Sequence, residues 1–185
     1  GQALGMRDET AAKGFAAHNI ALSLVISAIW ASILFILATP IISIYELESH
    51  IAYNATNYLR IVSTAFPFVF MSAAFTGIFN AGGRSKIPFT INGIGLAINM
   101  ILDPLFIFVF DWKTDGAAWA TWIAQACVFT LFIHQLKFKK ILWDDFRFFG
   151  RLKRLYTTRI FKIGLPVATL NALFAFVNMF LGRTA

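Results

Sequence analysis

The sequence predicts an all-α fold, a polytopic transmembrane helix bundle, and three observations predict it. The 185 residues are 58% hydrophobic and only 14% charged, whereas soluble globular proteins carry roughly 25% charged residues. Phe, Trp and Tyr together supply 30 of the 185 positions. The charges gather in clusters separated by long uncharged stretches, the layout of a chain that crosses a bilayer repeatedly. A large soluble helical core would show polar faces at a 3.6-residue period, and these stretches are apolar all round. The same apolar richness excludes disorder. A single cysteine, Cys127, excludes an intramolecular disulfide framework and a cysteine-cluster metal site; it reads as a small apolar residue within a helix. With Gly1 at its start and no charged-then-apolar leader, the sequence reads as an internal piece of a longer protein.

Five runs qualify as spans: 14–45, 61–83, 87–110, 116–136 and 163–182, the third interrupted only by Asp103. Each reaches the ~20 residues that a helix rising ~1.5 Å per residue needs to cross a hydrocarbon core of about 30 Å. Pro40 and Pro67 interrupt the first two, and Pro166 is expected to open the last. Gly82-Gly83-Arg84 reads as the turn between the second and third spans. The spacings Ala73, Gly77, Ala81 and Gly93, Ala97 are expected to let helix backbones approach closely.

Five spans put the two ends on opposite sides. The side holding the N-terminus, the 84–86 turn and the 137–162 loop carries 13 of the 16 Lys and Arg residues; Arg60, Lys113 and Arg183 are on the other. Basic residues are retained on the cytoplasmic side during insertion, so the first side is expected to be cytoplasmic, in a multi-pass protein of the cell membrane. The formal charge of +7 is thus a topology signal, and a nucleic-acid partner is not expected because the basic residues alternate with spans. Within 137–162, Leu142, Phe146, Phe149, Leu152 and Tyr156 recur at helical spacing, with Asp145, Arg147, Arg151 and Arg154 between them. That pattern predicts an amphipathic helix in the interface, with membrane lipids as neighbours. Asn54-Ala55-Thr56 matches a glycosylation triplet on the outer side, a short pattern that carries no weight by itself.

Polar groups inside the spans carry the functional signal. An ionisable residue at bilayer depth costs on the order of 2.5–3.5 kcal/mol on insertion scales, so one that persists faces a cavity or a partner. Asp103 is eight residues from Asp111, or roughly 12 Å deep. Asn99 lies one turn away on the same face and Asn92 continues the stripe. Pro104 follows directly, has no N–H to give, and is expected to leave the Met100 carbonyl open. Thr121 and Gln125 on the next span fall at comparable depth, and Tyr58 is placed to reach the same level. A carboxylate, an amide oxygen and freed backbone oxygens suit a cation; the alternative is hydrogen bonding that only joins helices, worth ~0.6 kcal/mol per contact. Arg60 is expected to reach the outer headgroups, and a salt bridge from it to Asp103 would cancel the site. His18 and His134 are expected at the interface rather than in a proton relay. No nucleophile with an adjacent base, HExxH or phosphate-binding glycine loop occurs, so catalysis is not expected.

The run Tyr58-Leu59-Arg60-Ile61 followed by Pro67, then Asn80 to Pro88 (NAGGRSKIP), Asn99 to Pro104 (NMILDP), Gly116 to Thr121 with Gln125, and Ile163-Gly164-Leu165-Pro166 resembles the multidrug and toxic compound extrusion (MATE) family over nearly the whole chain. The resemblance implies part of a twelve-helix transporter. Residues 1–136 would be an N-terminal lobe fragment (the end of helix two, then helices three to six). Residues 137–159 would be the inter-lobe loop, and 160–185 the first helix of the C-terminal lobe. It also implies export of amphiphilic, often cationic, organic small molecules, coupled to entry of Na+ or H+, by a protein expected to be monomeric and to need no cofactor. The family's cation site draws on a tyrosine, an asparagine, an aspartate and a threonine, matched here by Tyr58, Asn99, Asp103 and Thr121; Asn99, Asp103 and Thr121 would ligate sodium in a sodium-coupled member. A family aspartate on helix one has no counterpart in this sequence. Two rivals stand beside this expectation. A lipid-linked saccharide flippase of related fold would want a basic central cavity, whereas the basic residues here fall in loops. A membrane-embedded enzyme would want paired carboxylates or histidines at one depth, and Asp103 is alone.

Overall fold

The computed structural model describes residues 2–6, 8–139, 142–143 and 154–184. Its elements are α1 (Gln2–Gly5), α2 (Glu9–Ser43), α3 (Ser49–Ala81), α4 (Lys86–Pro104, widening into a π turn over Leu105–Val109), α5 (Lys113–Ile133, with a π turn over His134–Phe138) and α6 (Arg154–Thr184). Four of them, Glu9–Ser43, Ser49–Ala81, Lys86–Val109 and Lys113–Phe138, are long and apolar enough to cross a membrane. Side chains such as Val25, Trp30, Ile36 and Phe89 stand exposed, as lipid-facing residues do. The chain is therefore an all-helical, polytopic membrane bundle. The fifth apolar run is helical as well, within α6.

The helices overrun the uncharged stretches. Glu9 and Lys13 lie inside α2, His50 and Arg60 inside α3, and Arg159 and Lys162 inside α6, because charges at a membrane border do not interrupt backbone hydrogen bonding. Asp8 starts α2 by accepting the Ala11 N–H at 2.9 Å, a cap that satisfies one orphan donor. Between α3 and α4, the Arg84 N–H returns to Phe79 O and the Gly83 N–H to Asn80 O, with Gly83 at φ +71. This is a Schellman closure, whose left-handed position favours glycine. Pro166 lies well inside α6 rather than at its start; the first turns of α6 are built from the 154–162 segment, expected in the loop and at the border of the span. The predicted interfacial helix falls mostly on residues 144–153, outside the described residues; Leu142 sits beside Gly82 and Trp143 is buried.

Packing places α5 between α3 and α4, with α2 on the far side of α3. Phe75 and Phe79 of α3 and Phe132 of α5 are fully buried. Their rings meet at 5.7 Å (Phe75 to Phe132) and 5.9 Å (Phe79 to Phe132), and Phe68 meets Trp122 edge-on at 5.2 Å. Lipid offers apolar surface as good as a neighbouring helix, so specific packing rather than water exclusion holds such helices together; each well-placed aromatic pair is worth about 0.5–1.5 kcal/mol. The core cluster, which adds Ala12, Ile20, Ile91, Leu136 and Trp143, lies toward the end of the bundle that carries Lys13, Arg84, Lys86 and Lys137, hereafter the basic end.

The small residues divide in a way the spacing alone does not reveal. Around Gly77 and Gly93 a Cβ would meet nothing within 4 Å, and Ala73, Ala81 and Ala97 are exposed, so these two stripes seat no helix in the described structure. The close approaches are elsewhere. A Cβ on Gly95 would strike Val128, and one on Gly116 would come within 2.9 Å of the Phe106 carbonyl carbon.

Candidate ion-coupling site

The two glycine contacts fix how α4 and α5 run against each other. Gly95 lies beside Val128 toward the basic end and Gly116 beside Phe106 near the opposite end. Counting inward from the Gly116–Phe106 contact at ~1.5 Å per residue, Asp103 lies about 4.5 Å in, Thr121 about 7.5 Å and Asn99 about 10.5 Å. Counting outward from the Gly95–Val128 contact gives the same order. Thr121 is thus level with the interval between Asn99 and Asp103. It sits one position round α5 from the stripe Gly116, Ala120, Ala124 and Val128, whose members are all buried or in contact with α4.

Asn99 Nδ2 donates to Asp103 Oδ1 at 3.3 Å, and both residues are partly buried. Helical geometry brings them together, since residues four apart share a face. Just outside, Pro104 ends regular α4. The Leu105 N–H turns back to Leu102 O, and the Phe110 N–H reaches Leu105 O in the wider π spacing. Proline removes a donor and clashes with the preceding turn, and π turns often occur at functional sites. The turn between α4 and α5 is tight: Asp111 and Lys113 both have positive φ, and the Trp112 N–H caps Phe106 O at 3.0 Å.

The hydroxyls of the spans are otherwise largely closed on their own helices. Ser27 donates to Leu24 O, Ser63 to Arg60 O, Thr64 to Ile61 O and Thr130 to Ala126 O, all between 2.7 and 2.9 Å. Such back-bonding hides a hydroxyl from lipid. Thr121 and Gln125 are both partly buried and, among the described residues, neither makes a hydrogen bond, so their polar groups remain open to a ligand. Asn92 is not part of this group: its Nδ2 lies 3.4 Å from Thr76 Oγ1 and links α4 to α3. Tyr58 is nine residues into α3, about 13 Å from that helix's start at Ser49, a depth like that of Asp103. It is 36% exposed and forms no hydrogen bond to Asn99 or Asp103 among the described residues.

Arg60 does not neutralise Asp103. Its guanidinium turns to α2, where Nη2 donates to Thr39 Oγ1 at 3.2 Å and Cζ lies 5.8 Å from the centroid of the Phe35 ring. His18 differs from the interfacial expectation: it is only 4% exposed, with Nδ1 2.7 Å from Gly14 O, because α6 packs over it. Asp115, just before the span 116–136, carried no expectation. Its Oδ1 is buried without a hydrogen-bond partner in the described chain. Only its place directly before Gly116, the closest α4–α5 contact, could have signalled that burial. Among the described residues no three His, Cys, Asp or Glu side chains cluster as a metal site; the polar groups gathered here are one carboxylate, an amide and a hydroxyl.

A family model described as MatE matches residues 1–105, more than half of the chain. The chain belongs to the MatE family. Its 25% identity over 179 residues with the probable multidrug resistance protein YoeA of Bacillus subtilis (strain 168) covers 91% of this chain and 38% of that protein. It is 28% identical over 127 residues to the multidrug export protein MepA of Staphylococcus aureus (strain MSSA476), covering 68% of this chain and 28% of MepA. Among solved structures, an outward-facing conformation of a multidrug resistance MATE family transporter of the MOP superfamily superposes with a TM-score of 0.87 at 22% identity, over 96% of this chain and 40% of that one. The MatE chain described here therefore spans less than half the length of these relatives. The fold of this chain is that of the MATE helix bundle it superposes on.

Proposed function

We propose that this chain forms part of a secondary active antiporter that exports amphiphilic, often cationic, organic compounds against entry of Na+ or H+. In this reading Asp103 and Asn99 of α4 and Thr121 of α5 receive the coupling ion, Tyr58 completes the donor set, and Gln125 and Asn92 line the surrounding cavity. The observation that carries it is the Asn99–Asp103 hydrogen bond at 3.3 Å within a membrane helix, level with a Thr121 hydroxyl that has no other use. The names of the relatives support drug export as the work done.

A carboxylate surrounded by apolar side chains favours a cation beside it. Na+ would be held by the Asp103 oxygens, the Asn99 carbonyl oxygen and the Thr121 hydroxyl; a proton would be carried on Asp103 itself, with Asn99 keeping the acid in place. Coupling requires the ion and the exported compound to favour opposite-facing states, since only a difference in affinity between states shifts their balance. The break at Pro104 and the π turn after it give α4 a place to bend when the ion arrives. The basic end faces the cytoplasm of a cell-membrane protein that works as a monomer, the orientation its Lys and Arg distribution favours.

The test is Asp103→Asn in the full-length protein, reconstituted in liposomes with an imposed Na+ or pH gradient. Loss of gradient-driven efflux of a lipophilic cation at normal expression is expected. Efflux equal to the parent protein would remove Asp103 from the mechanism.

A further inference from the structure

The start of α6 is held against α2 by one aromatic side chain. Tyr156, in the first turn of α6, meets the Phe15 ring edge-on at 4.7 Å and 76° and the His18 ring at 4.9 Å. It lies so close over Gly14 that a Cβ there would come within 2.9 Å of its Cζ and 3.1 Å of its hydroxyl oxygen. Gly14, Phe15 and His18 occupy one turn of α2 and form a socket with a glycine at its floor. His18 is fixed in turn by its contact with Gly14 O at 2.7 Å. Farther along, α6 runs free of the described bundle: residues 161–171 are exposed. Beside the socket, Ile160 and Ile163 of α6 face Phe15 and Ala16 of α2 and Ile78 of α3 across a cavity of about 430 Å³. The attachment of α6 is therefore narrow and local. A narrow attachment of this kind can exist in two discrete states, seated and unseated, at a free-energy difference small enough for a bound ligand to reverse.

We propose that Tyr156 and its socket on α2 form a latch at the basic end, seated when that side of the transporter is closed and vacated when it opens. The proposal rests on the antiporter reading for its consequence but on the α2–α6 geometry for its substance. Loss of the ring removes contacts present only in the seated state, so the closed population falls. Bulk on Gly14 has the same effect by filling the seat.

The test uses the full-length protein in lipid nanodiscs with Cys127→Ser, and spin labels on cysteines introduced at the exposed positions Thr10 and Thr158. Distances are measured by pulsed electron resonance with and without tetraphenylphosphonium. Tyr156→Ala and Gly14→Val should each shift the ratio of near to far populations about fivefold toward far, the scale of one or two aromatic contacts. Tyr156→Phe should keep the parent distribution. The double variant should shift no more than Tyr156→Ala alone, because both changes act on one seat. Tyr156→Ala introduces no bulk, so it answers the question even where Gly14→Val fails to fold. Unchanged distances in Tyr156→Ala overturn the latch. Gradient-driven efflux from the same purified protein reconstituted in liposomes separates the two readings: efflux with unmoved distances sinks the latch alone, whereas shifted distances in a protein that moves no organic cation uphold the latch and sink the antiporter.

Discussion

Asn99 gives its side-chain N–H to the Asp103 carboxylate across 3.3 Å, so the acid of α4 is oriented by its own helix before any ion reaches it. A hydrogen bond to a charged group is worth about 1.5–3 kcal/mol. Asn99→Ala should therefore retain gradient-driven efflux but, in a sodium-coupled protein, raise the Na+ concentration for half-maximal rate by at least about tenfold. Asp103→Asn should abolish the coupling. Efflux rate against Na+ concentration and against pH, in liposomes, reads both. Equal ion dependence in Asn99→Ala and the parent would show that the pair is not coupled to the ion.

Asn92 gives the complementary expectation. Its amide meets Thr76 of α3 rather than Asp103, and such interhelical bonds in membranes average about 0.6 kcal/mol. Asn92→Ala should lower the unfolding temperature in detergent slightly and leave the ion dependence of efflux where it was. A changed ion dependence would move Asn92 into the coupling site.

What could be read in advance divides along physical lines. The helices over the five apolar runs, four of them long and apolar enough to cross a membrane, were legible because about 20 uncharged residues leave a chain few options besides a helix in the bilayer. Their ends were not, since His50, Arg60 and Lys162 sit inside helices, and a charge near a membrane border reaches water without stopping the helix. The pairing of Asn99 with Asp103 was legible because four residues make one turn. The open hydroxyl of Thr121 was not: it depends on register against α4, which Gly95 and Gly116 set through contacts distant in sequence. The small-residue spacing of Ala73, Gly77 and Ala81 misled for a related reason, since composition shows where a close approach is possible and not where a helix makes one. His18 looked interfacial only because nothing near it in sequence announces that Tyr156 will cover it.

Gly83 tests the turn between α3 and α4. With φ +71 it occupies the left-handed position of the Schellman closure, where a Cβ costs roughly 1–2 kcal/mol. No atom stands within 4 Å of a Cβ there, so backbone conformation alone sets the penalty. Gly83→Ala should destabilise the purified protein by about 1 kcal/mol and Gly83→Asn by less, because asparagine tolerates this conformation better. Equal losses for Ala and Asn, measured by thermal unfolding in detergent, would point to a contact rather than to φ.

Gly95 and Gly116 both hold α4 against α5, yet what stands opposite them differs, and so should the rescue. A Cβ on Gly95 strikes the Val128 side chain, whereas one on Gly116 meets the Phe106 carbonyl group at 2.9 Å. Overpacking typically costs about 1–3 kcal/mol when the neighbour cannot yield. Gly95→Ala alone should destabilise, and Val128→Ala in the same chain should recover much of the loss, giving a coupling well beyond additivity. Gly116→Ala should destabilise at least as much and gain nothing from Phe106→Ala, since the obstacle is backbone that no substitution removes. Because these two contacts also set Thr121 level with Asp103, Gly116→Ala should weaken the ion dependence of efflux along with stability. Thermal unfolding and efflux on the four single and two double variants check the set. Rescue of Gly116→Ala by Phe106→Ala would show that the helices meet there through side chains and would undo the register on which Thr121 is placed.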